Sequence, residues 1–135
     1  MWALVDTSTV ATVLETTDCS SCANQVDKTS TGVAVTTDTV SGYLNNPGSS
    51  YSGVDGTATI CIFDEDSTGT TYTSVPNTSN IATYSMPCAE NIKVHFADSV
   101  ASPDADVSAY LGMAQGKSTS GASYSIMEQL GLTDK

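Results

Sequence analysis

Apolar and polar residues alternate in short runs along most of the chain, and Val, Ile and Thr are frequent in these runs. Alternation with a period of two is typical of strands that bury one face. Clusters of turn residues separate the runs, as at "NNPGSS" and "SPDAD". The pattern predicts strands at 2–5, 9–15, 32–38, 57–63, 80–86, 91–98 and 107–112. We therefore expect one all-β domain over residues 1–135.

One segment near the C-terminus departs from this pattern. The run "SGASYSIMEQLGL" spaces its apolar residues as a helix does, and Ser120 or Ser123 would cap that helix. Gly131 would end it. The sequence thus predicts one short helix after the last strand.

The chain is strongly acidic, with a formal net charge of −11 and four lysines as its only Lys or Arg residues. Such a chain repels phosphate backbones, which argues against nucleic-acid binding. No run of apolar residues is long enough to span a membrane. Ser and Thr make up 39 of 135 residues. A hydroxyl-rich surface is typical of secreted or cell-surface proteins that carry glycans.

Four cysteines provide a second indication of an oxidising compartment. An even number predicts two disulfides, with three pairings open. Cys19 and Cys22 are close enough in sequence for a disulfide within one loop. Cys61 and Cys88 lie in two β-like runs of the sequence and could form a disulfide between neighbouring strands. Asn77 opens an Asn-Thr-Ser sequon in a turn-rich segment, which is either a glycosylation site or a chance match in a chain rich in these residues.

Two segments and one histidine resemble parts of binding or catalytic motifs, but each lacks a required partner. "GMAQGKST" is one residue short of a phosphate loop. "DEDSTG" begins like a calcium loop, but Val75 stands where the closing Glu is needed. His95 is the only histidine, so a Ser-His-Asp site has little support. We expect neither a metal nor a cofactor.

The segment "ALVDTSTVATVLETTDCSSC" and three later landmarks resemble the pepsin-like aspartic protease family. In that family a strand leads into Asp-Thr-Gly, then an outgoing apolar strand and a cysteine-clipped loop. The later landmarks are "GYLNNPGSSYSG" for the flap hairpin, "GTATICIF" for the strand after it, and "SAYLGMAQGKSTSGASYSIMEQLGL" for the segment that ends the first lobe. The resemblance implies a single pepsin-like lobe, incomplete relative to the two-lobed family.

The same resemblance implies roles for individual residues. Asp6 would be the catalytic acid and base, Thr9 its supporting hydroxyl, and Tyr43 the flap residue, with Tyr51 as the other choice for the flap. The chain departs from the family where Ser8 replaces a glycine whose conformational freedom is usually needed. Aspartic proteases also need two carboxylates that share one proton, and this chain has one such loop.

These observations favour a non-catalytic, extracellular structural or assembly glycoprotein subunit built on an aspartic-protease-like lobe. The alternative is half of an active aspartic endopeptidase that uses Asp6 in a two-Asp dyad. A third hypothesis is a carbohydrate- or ligand-binding module, which rests on the cleft that such a lobe offers.

The family resemblance also predicts how the chain associates. Without a second lobe, strands near 2–5 and 91–98 would present unpaired backbone groups, and Lys93 is the only lysine in those strands. We expect another copy or a partner segment to add a strand there and to bury Trp2 and Leu4, giving a filament or a dimer.

Overall fold

A computed structural model describes residues 3–23, 25–44, 49–61, 88–114 and 125–130, without the side chains of Cys61 and Cys88. Within these residues, six strands form one mixed sheet and a short helix follows. The elements are β1 (Ala3–Asp6), β2 (Val13–Glu15), β3 (Val33–Tyr43), β4 (Ser50–Cys61), β5 (Cys88–Val100), β6 (Ala109–Gly112) and α1 (Ile126–Gln129). For the described residues, the prediction of an all-β fold with one short helix is confirmed.

The strands lie in the order β1-β6-β2-β5-β4-β3. Strand β4 pairs antiparallel with β3 on one side and with β5 on the other. Strand β2 lies on the far side of β5 and runs parallel to it. Strand β6 then runs antiparallel to β2 and parallel to β1. Although β1 and β2 are consecutive in sequence, β6 lies between them. Strands β1 and β3 are therefore the two edges of the described sheet.

The prediction that the segment 91–98 is an open edge is wrong, because β5 lies inside the sheet. It pairs with β4 on one side, and β2 pairs with its residues 95–97 on the other. Beyond the short strand β2, the side-chain amide of Gln129 bonds to both backbone groups of Lys93, at 2.6 Å and 3.0 Å. These contacts occupy backbone groups that an open edge would leave unpaired.

The central strands bury apolar side chains on both faces of the sheet. On β2, Val13 belongs to one apolar cluster and Leu14 to the other, since successive side chains point to opposite faces. The larger buried members of the first cluster are Leu44, Tyr51, Val100 and Tyr110. Those of the second are Ile92, Val94 and Phe96. The 2-residue period of the second set confirms the alternation on which the β5 prediction rested.

Several strand boundaries differ from the predicted ones. Strands β3 and β4 include the Gly-, Ser- and Tyr-rich residues at 41–43 and 50–53, which lie outside the predicted strands at 32–38 and 57–63. Strand β2 starts only at Val13, because the residues after Asp6 form a loop around its carboxylate. The predicted strand at 80–86 lies outside the described residues.

Helix α1 is shorter than the predicted one. Ser125 occupies its N-cap position without a side-chain cap bond, and Ile126 is buried. Ser120, Ser123 and Gly131, the predicted cap and stop residues, lie outside the described residues. Within the described part of the chain, no helix has the length and apolar character needed to cross a membrane.

Candidate functional site

The loop that follows β1 encloses the carboxylate of Asp6, which has no exposed surface. Oδ1 of Asp6 accepts hydrogen bonds from the backbone N–H groups of Ser8 and Thr9, at 2.9 Å and 3.1 Å. The Ser8 hydroxyl also donates to Oδ1, at 2.8 Å. The Thr9 hydroxyl donates to Oδ2. Four donors from two adjacent residues therefore hold this carboxylate.

Strand β6 fixes this loop from the other side. Its register sets Asp6 opposite Gly112, and the N–H of Met113 donates to the carbonyl of Asp6 at 2.9 Å. The loop backbone passes so close to Gly112 that a Cβ there would lie 2.3 Å from the carbonyl oxygen of Ala11. Only a residue without a side chain fits at that position. The segments around Asp6 and Gly112, which both carry the family resemblance, thus lie side by side in the sheet.

Hydrogen bonding controls the charge of Asp6. Burial raises the pKa of Asp6, but the bonds from Thr9 and Ser8 together lower it by more, so the pKa lies below its ordinary value. In the described part of the chain the shift comes from hydroxyl and amide donors, with no contribution from a second carboxylate. Asp6 is thus a carboxylate anion at neutral pH and a weak base.

Ser8 fits its position without backbone strain. A serine in place of the family's glycine would be strained if the loop required a positive φ. Among the described residues, Asn91 is the only non-glycine residue with a positive φ. Ser8 instead adds one more donor to Asp6.

The two tyrosines considered for the flap lie in different environments. Tyr43 ends β3 and is 79% exposed. Tyr51 is buried, and its hydroxyl lies 2.6 Å from Nδ1 of His95. Asp6 and Tyr43 belong to strands at opposite edges of the sheet. Burial lowers the pKa of His95, and the nearby carboxylate of Asp55 opposes that change. No local pattern in the sequence indicates the Tyr51–His95 contact, because it joins two different strands.

Glu15 is the other buried carboxyl group of the described residues, and no motif in the sequence singles it out. Its side chain has no exposed surface, and neither carboxyl oxygen has a hydrogen-bond partner among the described residues. Burial, with a smaller effect from the carboxylate of Asp104, raises the pKa of Glu15 to about 7. The register places it on the same face of the sheet as Ser108 and Tyr110, which are also fully buried.

The predicted disulfide between Cys19 and Cys22 is confirmed, with a Cα–Cα distance of 5.4 Å. Next to this clip, Nζ of Lys28 contacts Asp18 at 2.6 Å and Asp98 at 2.9 Å, which ties the clipped loop to β5. For the second predicted disulfide, the backbone register sets residue 61 opposite residue 88, while both side chains lie outside the described part.

The remaining predicted site residues are placed as follows. Leu4 lies on β1 and is 42% exposed. Trp2 and Asn77 lie outside the described residues. Within the described ranges, no cluster of three or more His, Cys, Asp or Glu side chains is placed to hold a metal ion. Comparison of the chain with protein-family models, curated proteins and solved structures finds no match.

Proposed function

We propose that this chain is a non-catalytic, extracellular assembly subunit built on an aspartic-protease-like lobe, and that it associates through β1. The observation that carries the proposal is the character of this strand. It presents exposed Leu4 and Val5 at the edge of the sheet, and it ends at a carboxylate that accepts four hydrogen bonds from its own loop.

The contact between β1 and β6 supports the lobe. The family resemblance linked the segment around Asp6 with the Leu111-Gly112 pair, which is distant from it in sequence. The parallel register sets Val5 beside Leu111 and Asp6 beside Gly112. A single pepsin-like lobe brings these two segments together in one sheet. Their pairing therefore favours the family assignment, and it is an observation separate from the sequence motifs.

The hydrogen bonds of Asp6 support a non-catalytic role. A protease dyad needs two carboxylates that share one proton, so that one acts as a base and the other as an acid. The donors from Ser8 and Thr9 stabilise the anion of Asp6 and hold its pKa below the ordinary range. A catalytic acid or base works best with a pKa near the working pH, so a carboxylate with a lowered pKa is poorly suited to transfer protons at mildly acidic pH. It is well suited to hold its loop in place.

The edge position of β1 supports assembly. Within the described residues it pairs with β6 alone. Leu4 and Val5 are 42% and 56% exposed on a strand without a lysine. Proteins commonly protect such edges with charges, bulges or covering segments. A strand from another copy would supply backbone hydrogen bonds and bury both side chains.

The disulfide and the surface composition support an extracellular location. Disulfides such as Cys19–Cys22 persist mainly in oxidising compartments. Ser and Thr provide 39 of 135 residues, which suits a surface that carries glycans.

Sedimentation velocity over a wide concentration range tests the assembly. We expect the full chain to form species larger than a monomer, and Leu4→Lys to shift them to monomer because it places a charge in the added strand. Val35→Lys is the matched control, since Val35 is 45% exposed on the opposite edge strand β3. A wild-type monomer at every concentration would contradict the proposal, as would equal effects of the two variants.

The competing function is an aspartic endopeptidase, which the hydrogen bond from Thr9 to Asp6 favours because it matches the supporting contact implied by the resemblance. It requires a second Asp loop from another copy or another lobe. We expect no pepstatin-sensitive cleavage of denatured protein in the acidic range where shared-proton dyads work. Cleavage that disappears in Asp6→Asn would establish the endopeptidase instead.

A further inference from the structure

Three serines lie in one row across β3, β4 and β5. The register sets Ser41 directly opposite Ser52, and Ser52 directly opposite Ser99. Residues directly opposite each other in antiparallel strands point to the same face. All three serines are exposed. Their hydroxyls therefore form a line along one face of the sheet, with a spacing of about 5 Å between neighbouring strands.

An exposed aromatic ring stands beside this row. Tyr43 lies two residues after Ser41 and is 79% exposed, and the register sets it opposite the half-buried Ser50. These five residues, Tyr43, Ser41, Ser50, Ser52 and Ser99, line a shallow groove of about 370 Å³. We call this surface the serine platform. Its volume lies within the range of small-ligand sites.

The opposite face of the same strands keeps the platform in place. Tyr51 lies between Ser50 and Ser52 in sequence and points the other way, into the core, where its hydroxyl contacts His95 at 2.6 Å. Its ring lies against Gly42, where an added Cβ would come within 2.9 Å of a ring carbon. A strand anchored in this way presents its outward hydroxyls with little conformational freedom, which lowers the entropy lost on binding.

The chemistry of the platform selects a class of ligand. None of the described residues that line it carries a carboxylate or an ammonium group, although the chain has a net charge of −11. The nearest acid in sequence, Asp98, is already engaged by Lys28 and by the hydroxyl of Thr16. Serine hydroxyls both donate and accept hydrogen bonds, and so do the hydroxyls of a sugar. A tyrosine ring offers a flat apolar surface with a polar tip.

We propose that the serine platform binds a neutral glycan, with Tyr43 stacked against a sugar ring and the serine hydroxyls bonded to sugar hydroxyls. This site is independent of the proposed assembly, because it uses the face of β3, β4 and β5 and leaves the β1 edge untouched.

Amide NMR shifts of the full chain test the proposal, with cellohexaose, laminarihexaose and mannohexaose as neutral probes and trigalacturonic acid as the charged one. At least one neutral probe at millimolar concentration should shift the amides of residues 41–43, 50–52 and 99. Tyr43→Ala should weaken that binding roughly tenfold or more, because it removes the stacking surface. Tyr43→Phe should keep it, since the ring remains. Val35→Ala is the control on the same strand and should bind as the wild type does.

Because Tyr43 is largely exposed, its substitution should leave the fold intact, which the unshifted amides of β2 and β6 will report. The proposal is overturned if no neutral probe shifts the platform, if Tyr43→Ala binds as tightly as the wild type, or if trigalacturonic acid produces the same shifts as the neutral probes.

Discussion

The Ser8 hydroxyl donates a 2.8 Å hydrogen bond to Oδ1 of Asp6. In the pepsin-like family, which this loop resembles, a glycine occupies the position of Ser8 and has no donor to offer from a side chain. The residue that departs from the family pattern therefore contacts the carboxylate directly. The added donor lowers the pKa of Asp6, and the ionised carboxylate holds its own loop together.

Replacement of Ser8 tests this interpretation. Ser8→Gly and Ser8→Ala both remove the hydroxyl, so we expect each to raise the pKa of Asp6 and to lower the free energy of unfolding by about 1 kcal/mol. Carboxyl-carbon NMR titration and urea unfolding measure the two effects. Ser8→Thr, which retains a hydroxyl, is the control. An unchanged pKa in Ser8→Ala would show that this bond does not set the charge of Asp6.

The pKa shift of Asp6 also gives the sign of its pH effect. A carboxyl whose pKa is lower in the folded state than in the unfolded state stabilises the fold when it is ionised. Its contribution is therefore present above the ordinary pKa of 3.8 and is lost as the pH falls through the lower folded value.

Glu15 has the opposite effect on stability. Its pKa is about 7 in the fold and 4.5 when exposed, so the folded state binds the proton more tightly in the interval between these values. The free energy of unfolding should therefore fall as the pH rises from 4.5 to about 7, by roughly 3 kcal/mol for such a shift.

Glu15→Gln should remove this dependence, because the amide has similar size and no charge. Urea unfolding at about pH 4 and about pH 8 should give similar stabilities for wild type and variant in acid, and a more stable variant in base. Asp104→Asn, at an exposed position nearby, is the control and should retain most of the wild-type slope. Parallel pH profiles for wild type and Glu15→Gln would contradict the assignment.

The second disulfide is predicted from the sequence and gains support from the backbone register. Residues directly opposite each other in an antiparallel pair have Cα atoms about 4.5–5.5 Å apart, within the range of a disulfide. Peptide mapping without reduction should join Cys61 to Cys88. On the loop-entropy account, this bridge contributes about 3–4 kcal/mol, so Cys61→Ala with Cys88→Ala should lower the stability by that order. A peptide that joins Cys22 to Cys61 would contradict the pairing.

The parts of the fold that depend on local pattern could be predicted from the sequence. Ile92, Val94 and Phe96 repeat with the period of a strand, and each is buried on one face of β5. The close spacing of Cys19 and Cys22 indicated the loop clip. Both features involve neighbours along the chain, for which spacing alone is informative.

The rest depends on contacts between distant segments. The interior position of β5 follows from its pairing with both β2 and β4, and no local pattern encodes sheet order. A glutamate is ordinarily expected at the surface, yet Glu15 is buried because apolar clusters cover both faces of its short strand. The Ser and Gly residues at 41–42 and 52–53 lie outside the predicted strands because they lack β-branched side chains, but their pairing across the hairpin makes them strands.

Hydrogen exchange at β1 tests the central claim most directly, because an added strand would protect backbone amides of this edge. We expect the peptide that contains Ala3–Asp6 to exchange more slowly as the protein concentration rises, while the peptide that contains Val33–Tyr43 exchanges at a constant rate. Leu4→Lys should abolish the concentration dependence. Exchange of the β1 peptide at one rate across all concentrations would contradict assembly through this strand.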